Sequence, residues 1–184
     1  MVGFASILVD AATVDAVNIL NATLEGMAAA AAKLVEALRR AGVPLSARNT
    51  CILIDGNRVP WCFLQEEQKR KKLANPKTVK SRGKEHAALR NVVCQCVVKG
   101  DQRVASIATA SIVAKVTRDE YASAVMHRQC PQYGFDEHKG YCVARHTELL
   151  RQLGPCAFHR RTFAPVRAVL GSAKQRRMEK RKCT

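Results

Sequence analysis

Apolar positions along the chain follow two different periods, and the change from one to the other marks the elements. Residues 2–9 (VGFASILV) form a short apolar run and predict a strand. Helical spacing then takes over. Val17, Leu20, Leu24, Met27, Ala31, Leu34, Val35 and Leu38 share one face, which predicts a long helix to about Arg39. Thr13 or Asp15 can cap it, and Gly42 with Pro44 stops it. The alanine run at 28–32 adds helix propensity and lets neighbours pack closely. Cys51–Ile54 predicts a short buried strand ending in the turn Asp55-Gly56-Asn57. Residues 61–91 lose periodicity: Trp61 and Phe63 give way to EEQKRKKLANPKTVKSRGKEH, a basic surface insertion, helical in part or disordered. Val92, Val93, Val97 and Val98 predict a second buried strand, closed by the turn Lys99-Gly100-Asp101. Ile107, Ala110, Ser111, Ala114 and Val116 predict a helix running to about Arg128 or Gln129, where Pro131 ends it. PQYGFDEHKGY is a Gly-rich, aromatic and charged loop. Residues 144–153 form a short amphipathic helix stopped by Gly154-Pro155. HRRTFAPVRAVL carries a basic cluster and a last helical turn, and the tail from Ser172 is charged and expected to be mobile.

The bulk composition adds a partner to this α/β pattern. At 184 residues the chain suits one domain with a single core, here placed at 1–170 with the insertion at 61–91 and the tail at 171–184. Its 31 basic and 15 acidic residues give a net charge of +16, which favours a polyanion, nucleic acid before a membrane surface. The excess is uneven. Nine Lys/Arg against three acids fall between Gln65 and Arg90, and seven against one between Arg167 and the end. Either run can be plain solvated surface. Eight cysteines (51, 62, 94, 96, 130, 142, 156 and 183) contain no CxxC pair, and several lie in apolar runs as small hydrophobes. With no signal-peptide pattern, a reduced intracellular compartment is expected, without a choice among nucleus, mitochondrion and cytoplasm. Cys94 and Cys96 face one side of a strand but lack a second pair at zinc spacing. No apolar run reaches membrane-spanning length.

Two carboxylates occupy equivalent places. Asp55 follows one strand and Asp101 the next, so neighbouring strands would present both at one sheet edge. Asp101 has two readings, an N-terminal cap, which is the commoner use of an Asp before a helix, and a ligand for a hard divalent cation. Two acids on a basic protein suggest metal-assisted phosphodiester chemistry, although a two-metal site commonly draws on three or four. Asp119 is expected to pair with Arg118 or nearby backbone. Asp136 and Glu137 lie in a loop and can approach. Tyr141 in HKGY can stack on a sugar or base, or serve with Tyr133 and Phe135 as the loop's apolar anchor. His159, Arg160, Arg161 and Lys99 are candidate phosphate contacts; a solvated basic cluster is the alternative. His138 and His146 lack a second ligand at metal spacing and are expected to make structural hydrogen bonds.

The segments IDGNRVP, VVKGD, SIATASIVAKVTRD, PQYGFDEHKGY and GPCAFHRRTFAPV, in this order, closely resemble the ribonuclease HII family, the type 2 ribonucleases H. DAATVDAVNILNATLEGM is similar to the family's helix before its DGN strand. The likeness spans nearly all the chain outside the insertion and tail. It implies a ribonuclease H-like fold, a central mixed sheet flanked by helices. It also implies an endonuclease that hydrolyses the RNA strand of RNA–DNA hybrids and cuts at single ribonucleotides embedded in duplex DNA, work that belongs to DNA replication and repair. The products would carry 5′-phosphate and 3′-hydroxyl ends, and the cofactor would be Mg2+ or Mn2+. Asp55 of IDGN matches the family's third catalytic acid and metal ligand, and Asp101 of VKGD the fourth. The resemblance thus favours the ligand reading of Asp101 over the cap. Tyr141 of HKGY matches the tyrosine that stacks at the junction sugar, and Asp119 a position that is not a ligand.

The family opens with a strand bearing D-E-A-G-R-G, which supplies two metal ligands and reads the 2′-hydroxyl. No such motif occurs in this chain. Residues 2–9 resemble the family's third strand, so the central first strand and the second are expected to be missing, leaving strand edges and apolar faces uncovered. The expectation is an N-terminally incomplete ribonuclease HII, monomeric at full length and inactive or nearly so as this chain. Two alternatives are a non-catalytic nucleic-acid-binding remnant and a subunit completed by another chain. The tail KQRRMEKRK is a nuclear address or a nucleic-acid contact.

Overall fold

A computed structural model of the chain describes residues 3–64, 86–90 and 92–171. They group into two compact units. The first holds Met1–Val9 with Val17–Lys115, and the second Asp10–Ala16 with Val116–Thr184. Most of the expected insertion and the whole tail from Ser172 lie outside the described residues.

The long N-terminal helix is two helices. Asp10, not Thr13 or Asp15, caps α1 (Ala11–Val17) by accepting from the Thr13 N–H at 2.6 Å. Helix α2 (Ile19–Arg40) then starts afresh at Asn18, whose φ of 69° breaks the first helix and whose Oδ1 accepts from the Asn21 N–H at 3.1 Å. This backbone is strained for a residue with a Cβ, but Asn caps well, so one residue makes both the break and the restart. Apolar periodicity runs through the break unchanged, which is why the pattern alone reads as one helix.

In the first unit the buried face of α2 is small: Ala22, Ala28, Ala32 and Val35. Ala28, Ala32 and Val35 form a core with Ala88 and Leu89, flanked by Leu45, Ile52, Cys62 and Phe63. Alanines let the partners approach closely, and full burial of Leu89 contributes about 2 kcal/mol. Trp61–Phe63 and Ala87–Leu89 are short 3-10 turns, and Trp61 and Leu89 are buried, so the ends of the 61–91 segment belong to the core rather than the surface. Strands β1 (Cys51–Asp55) and β2 (Val93–Val97) pair in parallel, Cys51 opposite Val93 and Asp55 opposite Val97. They are the described strands of a small parallel sheet, and the architecture is mixed α/β. Neither strand is fully buried: Cys51 and Asp55 of β1 and Val93 of β2 are exposed, as is Val98 just past β2, because the two described strands have open edges and little cover. Residues 3–9 of the segment 2–9, expected as a strand, form no ladder. They run beside α2, with Val9 Cγ2 only 3.2 Å from where a side chain on Gly26 would begin, and Phe4, Ile7 and Leu8 are exposed. A strand needs a hydrogen-bonding neighbour, and none of the described strands takes that place.

After β2, a turn leads to α3 (Gly100–Arg103) and, past an extended Val104, to α4 (Ala105–Tyr121). In the second unit α4 continues through a π-helical segment, Ala122–Met126, into His127–Gln129. Cys130 leaves the helical region and Pro131 opens the 3-10 turn Pro131–Tyr133, as expected. Helix α5 (Phe135–His138) and α6 (Ala144–Leu153) follow, and α6 has the predicted bounds, ended by Gly154 at φ 76°. A helix over 164–171, α7, closes the described chain. Ala122, Met126, Tyr133 and Phe135 form this unit's core with Leu149, Cys156 and Phe158 around them. Tyr133 and Phe135 are therefore the loop's apolar anchor, and Tyr141 is not part of it.

Candidate functional site

The parallel register brings the ends of the two strands level. Asp55 is the last residue of β1 and faces Val97, and the Gly56 N–H extends the ladder by donating to the Val97 carbonyl at 2.9 Å. Beyond Val97 the chain must turn sharply, and Lys99 does this with a left-handed backbone, φ 53° and ψ 46°. That conformation is costly for a residue with a Cβ, about 1–2 kcal/mol. It aims the Gly100 N–H at β1, where it donates to Asp55 Oδ1 at 2.7 Å. Gly100 is buried, and a Cβ there would meet Ile107 Cδ1 at 2.6 Å and Asp55 Oδ1 at 3.2 Å. Asp101 follows directly, in the first turn of α3. The cap position of that helix is Lys99, so Asp101 does not cap it. Asp55, Lys99 and Asp101 are all exposed. The edge thus gathers two carboxylates, one of them oriented by backbone.

These acids fit a hard divalent cation in kind, since Mg2+ and Mn2+ take carboxylate oxygen. They do not fit in number. Among the described residues no group of three or more His, Cys, Asp or Glu is placed to hold a metal ion. Asp119, Asp136 and Glu137 are engaged elsewhere. Asp119 Oδ1 lies 3.1 Å from Arg118 Nη1, the pairing its sequence predicts. Asp136 lies 2.8 Å from His127 Nδ1, and Glu137 2.5 Å from Arg145 Nη1.

Tyr141, Arg160 and Arg161 belong to the second unit. The Tyr141 ring is 54% exposed, and the Arg118 guanidinium lies over it, 4.9 Å from the ring centroid. Arg118 is a partner that sequence reasoning missed; its place near the end of α4 gave no hint of a ring 23 residues on. Arg160 is half-buried with its guanidinium 4.9 Å over Phe163. Its pKa falls below the usual arginine value, first through burial and then through the nearby Arg118 charge, with Asp15 opposing. Two cations that feel each other's charge, each facing a ring, suit an anion with an adjoining apolar surface. The Arg161 side chain is exposed, but its N–H donates to Asp15 Oδ2 at 2.6 Å. Asp15 Oδ1 takes the Thr162 N–H at 2.9 Å and its hydroxyl at 2.6 Å. Asp15 therefore clamps the turn bearing Arg160 instead of capping a helix. Burial raises its carboxyl pKa, but the Thr162 and Arg161 bonds and the Arg161 charge outweigh that and hold it below the ordinary range.

His159 is not a phosphate contact. It is 7% exposed and bonded to His146, also buried, with the two Nε2 atoms 3.0 Å apart. His138 and His146 make the structural hydrogen bonds their sequence suggests, to the carbonyls of Tyr133 and Tyr141. Cys94 and Cys96 share a face of β2 as free thiols, and burial pushes the Cys94 thiol up to about 12. No helix among the described residues is long and apolar enough to cross a membrane.

Comparison with known proteins gives the family. The family model described as Ribonuclease HII matches residues 7–166. Ribonuclease HII of Delftia acidovorans (strain DSM 14801 / SPH-1) is 38% identical over 161 residues, 88% of this chain and 52% of that protein. Ribonuclease HII of Chlamydia caviae (strain ATCC VR-813 / DSM 19441 / 03DC25 / GPIC) is 36% identical over 157 residues, 85% of this chain and 55% of that protein. Ribonuclease HII 2 of Methylibium petroleiphilum (strain ATCC BAA-1232 / LMG 22953 / PM1) is 40% identical over 157 residues, with 85% and 54% covered. The chain spans about half the length of the curated relatives it matches. With the family match across both units, and with the acids of IDGN and VKGD at one sheet edge, the chain belongs to the ribonuclease HII family.

Proposed function

We propose that this chain is the acid-bearing part of an endonuclease that hydrolyses the RNA strand of RNA–DNA hybrids and cuts at single ribonucleotides in duplex DNA. The observation that carries the reading is the levelled end of β1 and β2, where Asp55 accepts from the N–H of Gly100, the residue next to Asp101 in sequence. Asp55 and Asp101 are two of the carboxylates of a divalent-metal site, and Mg2+ or Mn2+ bound there would activate water and stabilise the leaving oxygen. Tyr141, backed by Arg118, stacks on the sugar at the RNA–DNA junction. Lys99, Arg160 and Arg161 contact phosphate, and the +16 net charge supplies sequence-independent affinity for the duplex.

The donor set is short of what the chemistry needs, and the D-E-A-G-R-G motif that would complete it is not in this sequence. The 184-residue chain alone is therefore expected to bind hybrid duplex and cleave it hardly at all. The test incubates the purified chain with Mg2+ and a duplex carrying one ribonucleotide, alone and with a polypeptide containing a D-E-A-G-R-G strand. Cleavage should need the added polypeptide and disappear with Asp55→Asn or Asp101→Asn. Efficient cleavage by the chain alone, abolished by Asp55→Ala, would overturn the inactivity. Cleavage that survives both acid replacements would overturn the site assignment. Salt-sensitive binding that no added strand converts to cleavage would favour a non-catalytic nucleic-acid-binding role.

A further inference from the structure

The second unit contains three histidine rings packed around Phe135, and the proposed chemistry uses none of them. His138 and His146 stack with centroids 4.2 Å apart. His159 lies 5.2 Å from His146, and Phe135, 1% exposed, stands 5.7–5.8 Å from all three. Their hydrogen bonds fix every ring proton. The Gly140 N–H donates to His138 Nδ1 at 3.0 Å, so His138 Nε2 must carry the proton that reaches the Tyr133 carbonyl at 2.7 Å. The Cys156 N–H donates to His159 Nδ1 at 3.1 Å, so His159 Nε2 must be the donor toward His146 Nε2 at 3.0 Å. His146 Nε2 then accepts, and its Nδ1–H donates to the Tyr141 carbonyl at 2.9 Å. One assignment satisfies all these bonds, and in it all three rings are neutral.

This network ends on the exposed aromatic. Lys139 and Gly140 both have left-handed backbones, φ 52° and 76°, which glycine adopts freely and lysine does not, so the loop entering Tyr141 carries its strain at Lys139. The Tyr141 N–H donates to the His138 carbonyl at 2.8 Å, and the Tyr141 carbonyl accepts from the Val143 N–H at 2.9 Å as well as from His146. The ring carries the Arg118 guanidinium over its face. Its direction therefore depends on where the backbone is pinned.

We propose that His146, bonded to the Tyr141 carbonyl on one side and to His159 on the other, is a positioning residue for Tyr141, and that the brace holds only while the three rings are neutral. The proposal rests on the reading of Tyr141 as the residue that stacks on the junction sugar. Each ring already donates from one nitrogen and accepts at the other, so an added proton turns an acceptor into a second donor and breaks a bond. Protonated His146 Nε2 would face the His159 Nε2–H. Protonated His159 Nδ1 would face the Cys156 N–H, and protonated His138 Nδ1 the Gly140 N–H. The titratable groups facing the rings are Tyr133, with its ring 4.9 Å from His159, and the Cys156 thiol, 3.1 Å from His159 Nδ1 and next to Cys130. Neither supplies a negative charge at neutral pH. The loop's carboxylates, Asp136 and Glu137, are turned to His127 and Arg145, and Lys139 is bonded to Ser123 and the Asp136 carbonyl. Burial, followed by the charge His146 would carry, pushes His159 down to about 4, and burial likewise holds His146 below the ordinary histidine value.

The test labels the full chain with 3-fluorotyrosine. It gives three fluorine resonances, for Tyr121, Tyr133 and Tyr141, assigned by Tyr→Phe replacements. Nitrogen-15 imidazole spectra follow ring protonation in parallel. On acidification the Tyr141 resonance should move together with protonation of the cluster. His146→Leu should move it already at neutral pH and remove that dependence. His146→Asn, which keeps a donor toward the carbonyl, should restore the neutral-pH position. A Tyr141 resonance indifferent to cluster protonation in the unsubstituted chain overturns the proposal, and that arm decides even if His146→Leu does not fold. A resonance left in place by a folded His146→Leu also overturns it. In EDTA, the affinity ratio between a duplex with one ribonucleotide and an all-DNA duplex tests the underlying reading separately. Tyr141→Ala should abolish the preference, and His146→Leu should lower it. If Tyr141→Ala leaves the ratio unchanged, the stacking role fails while the fluorine result still decides the brace.

Discussion

Replacing Gly100 with alanine tests whether close packing sets the place of the Asp55 carboxylate. Gly100 does not have a left-handed φ, so alanine is compatible with its backbone, and the reduced freedom of the unfolded chain would by itself stabilise by about 0.4–1 kcal/mol. Sterics oppose this. The new Cβ would lie 2.6 Å from Ile107 Cδ1 and 3.2 Å from Asp55 Oδ1. Ile107 is buried, so swinging its terminal methyl aside forces an off-rotamer side chain costing about 0.5–1.5 kcal/mol. Pushing Asp55 back by a few tenths of an ångström weakens the 2.7 Å bond from the Gly100 N–H, a charge-assisted bond whose full loss costs about 1.5–3 kcal/mol. The net expectation is destabilisation of about 1–2 kcal/mol. Trp61, the sole tryptophan, is buried in the same unit, so urea unfolding followed by its fluorescence reads the effect. Ile107→Val supplies the control, because it deletes Cδ1 itself at a cost of about 0.5–1.5 kcal/mol. In that background Gly100→Ala should cost about 1 kcal/mol less than in the unaltered chain. Equal costs in the two backgrounds, or a Gly100→Ala chain as stable as the parent, would refute the packing argument.

Three further outcomes are expected. Asn18→Ala should lower the melting midpoint, with a cost of about 1–2 kcal/mol from a lost cap and a strained φ of 69°, whereas Asn18→Gly should cost only a few tenths. Asp15→Ala should loosen the 160–162 turn for about 1 kcal/mol, after allowance for solvent screening, and replacing Thr162 with valine should add little to it, which a double-mutant cycle in thermal unfolding would show. His159 titrates near 6.5 when unfolded and at about 4 when folded, so the unfolded chain binds the extra proton between those values. Its contribution, on the order of 3 kcal/mol, is complete above about pH 6.5 and is lost as pH falls toward 4; stability flat across that window in urea titrations would contradict the buried neutral ring.

The elements that hold the candidate acids could be read from the chain because their signals are local. A run of β-branched residues closed by DGN or KGD places a carboxylate at a strand end, and pairing β1 with β2 needs only the ordinary preference of neighbouring strands. Asp119 was also legible, because its partner is the adjacent residue. What escaped depends on distant partners. Asp15 looks like a helix cap until residues 161–162 are seen folded onto it. His159 sits among arginines in sequence and looks like a surface cation, yet three buried rings, of Tyr133, Phe135 and His146, pack around it. Residues 2–9 have a strand's composition, but the described residues 3–9 form no ladder, because a strand is completed by its neighbour and not by its own residues.

The same distinction separates the two kinds of candidate residue. Asp55 and Asp101 are placed by backbone: a strand register, a left-handed Lys99 and one N–H from Gly100. Side-chain substitutions nearby should therefore shift them little, and a change at Gly100 should shift them most. Tyr141 is placed by side chains. Its carbonyl depends on His146, its ring on Arg118, and neither partner is its neighbour in sequence. Such a position responds to protonation, salt and distant substitution in ways a strand end does not. Pressure on the acids should thus act through glycine and turn geometry, and pressure on the aromatic through the charge state of groups 5 to 23 residues away.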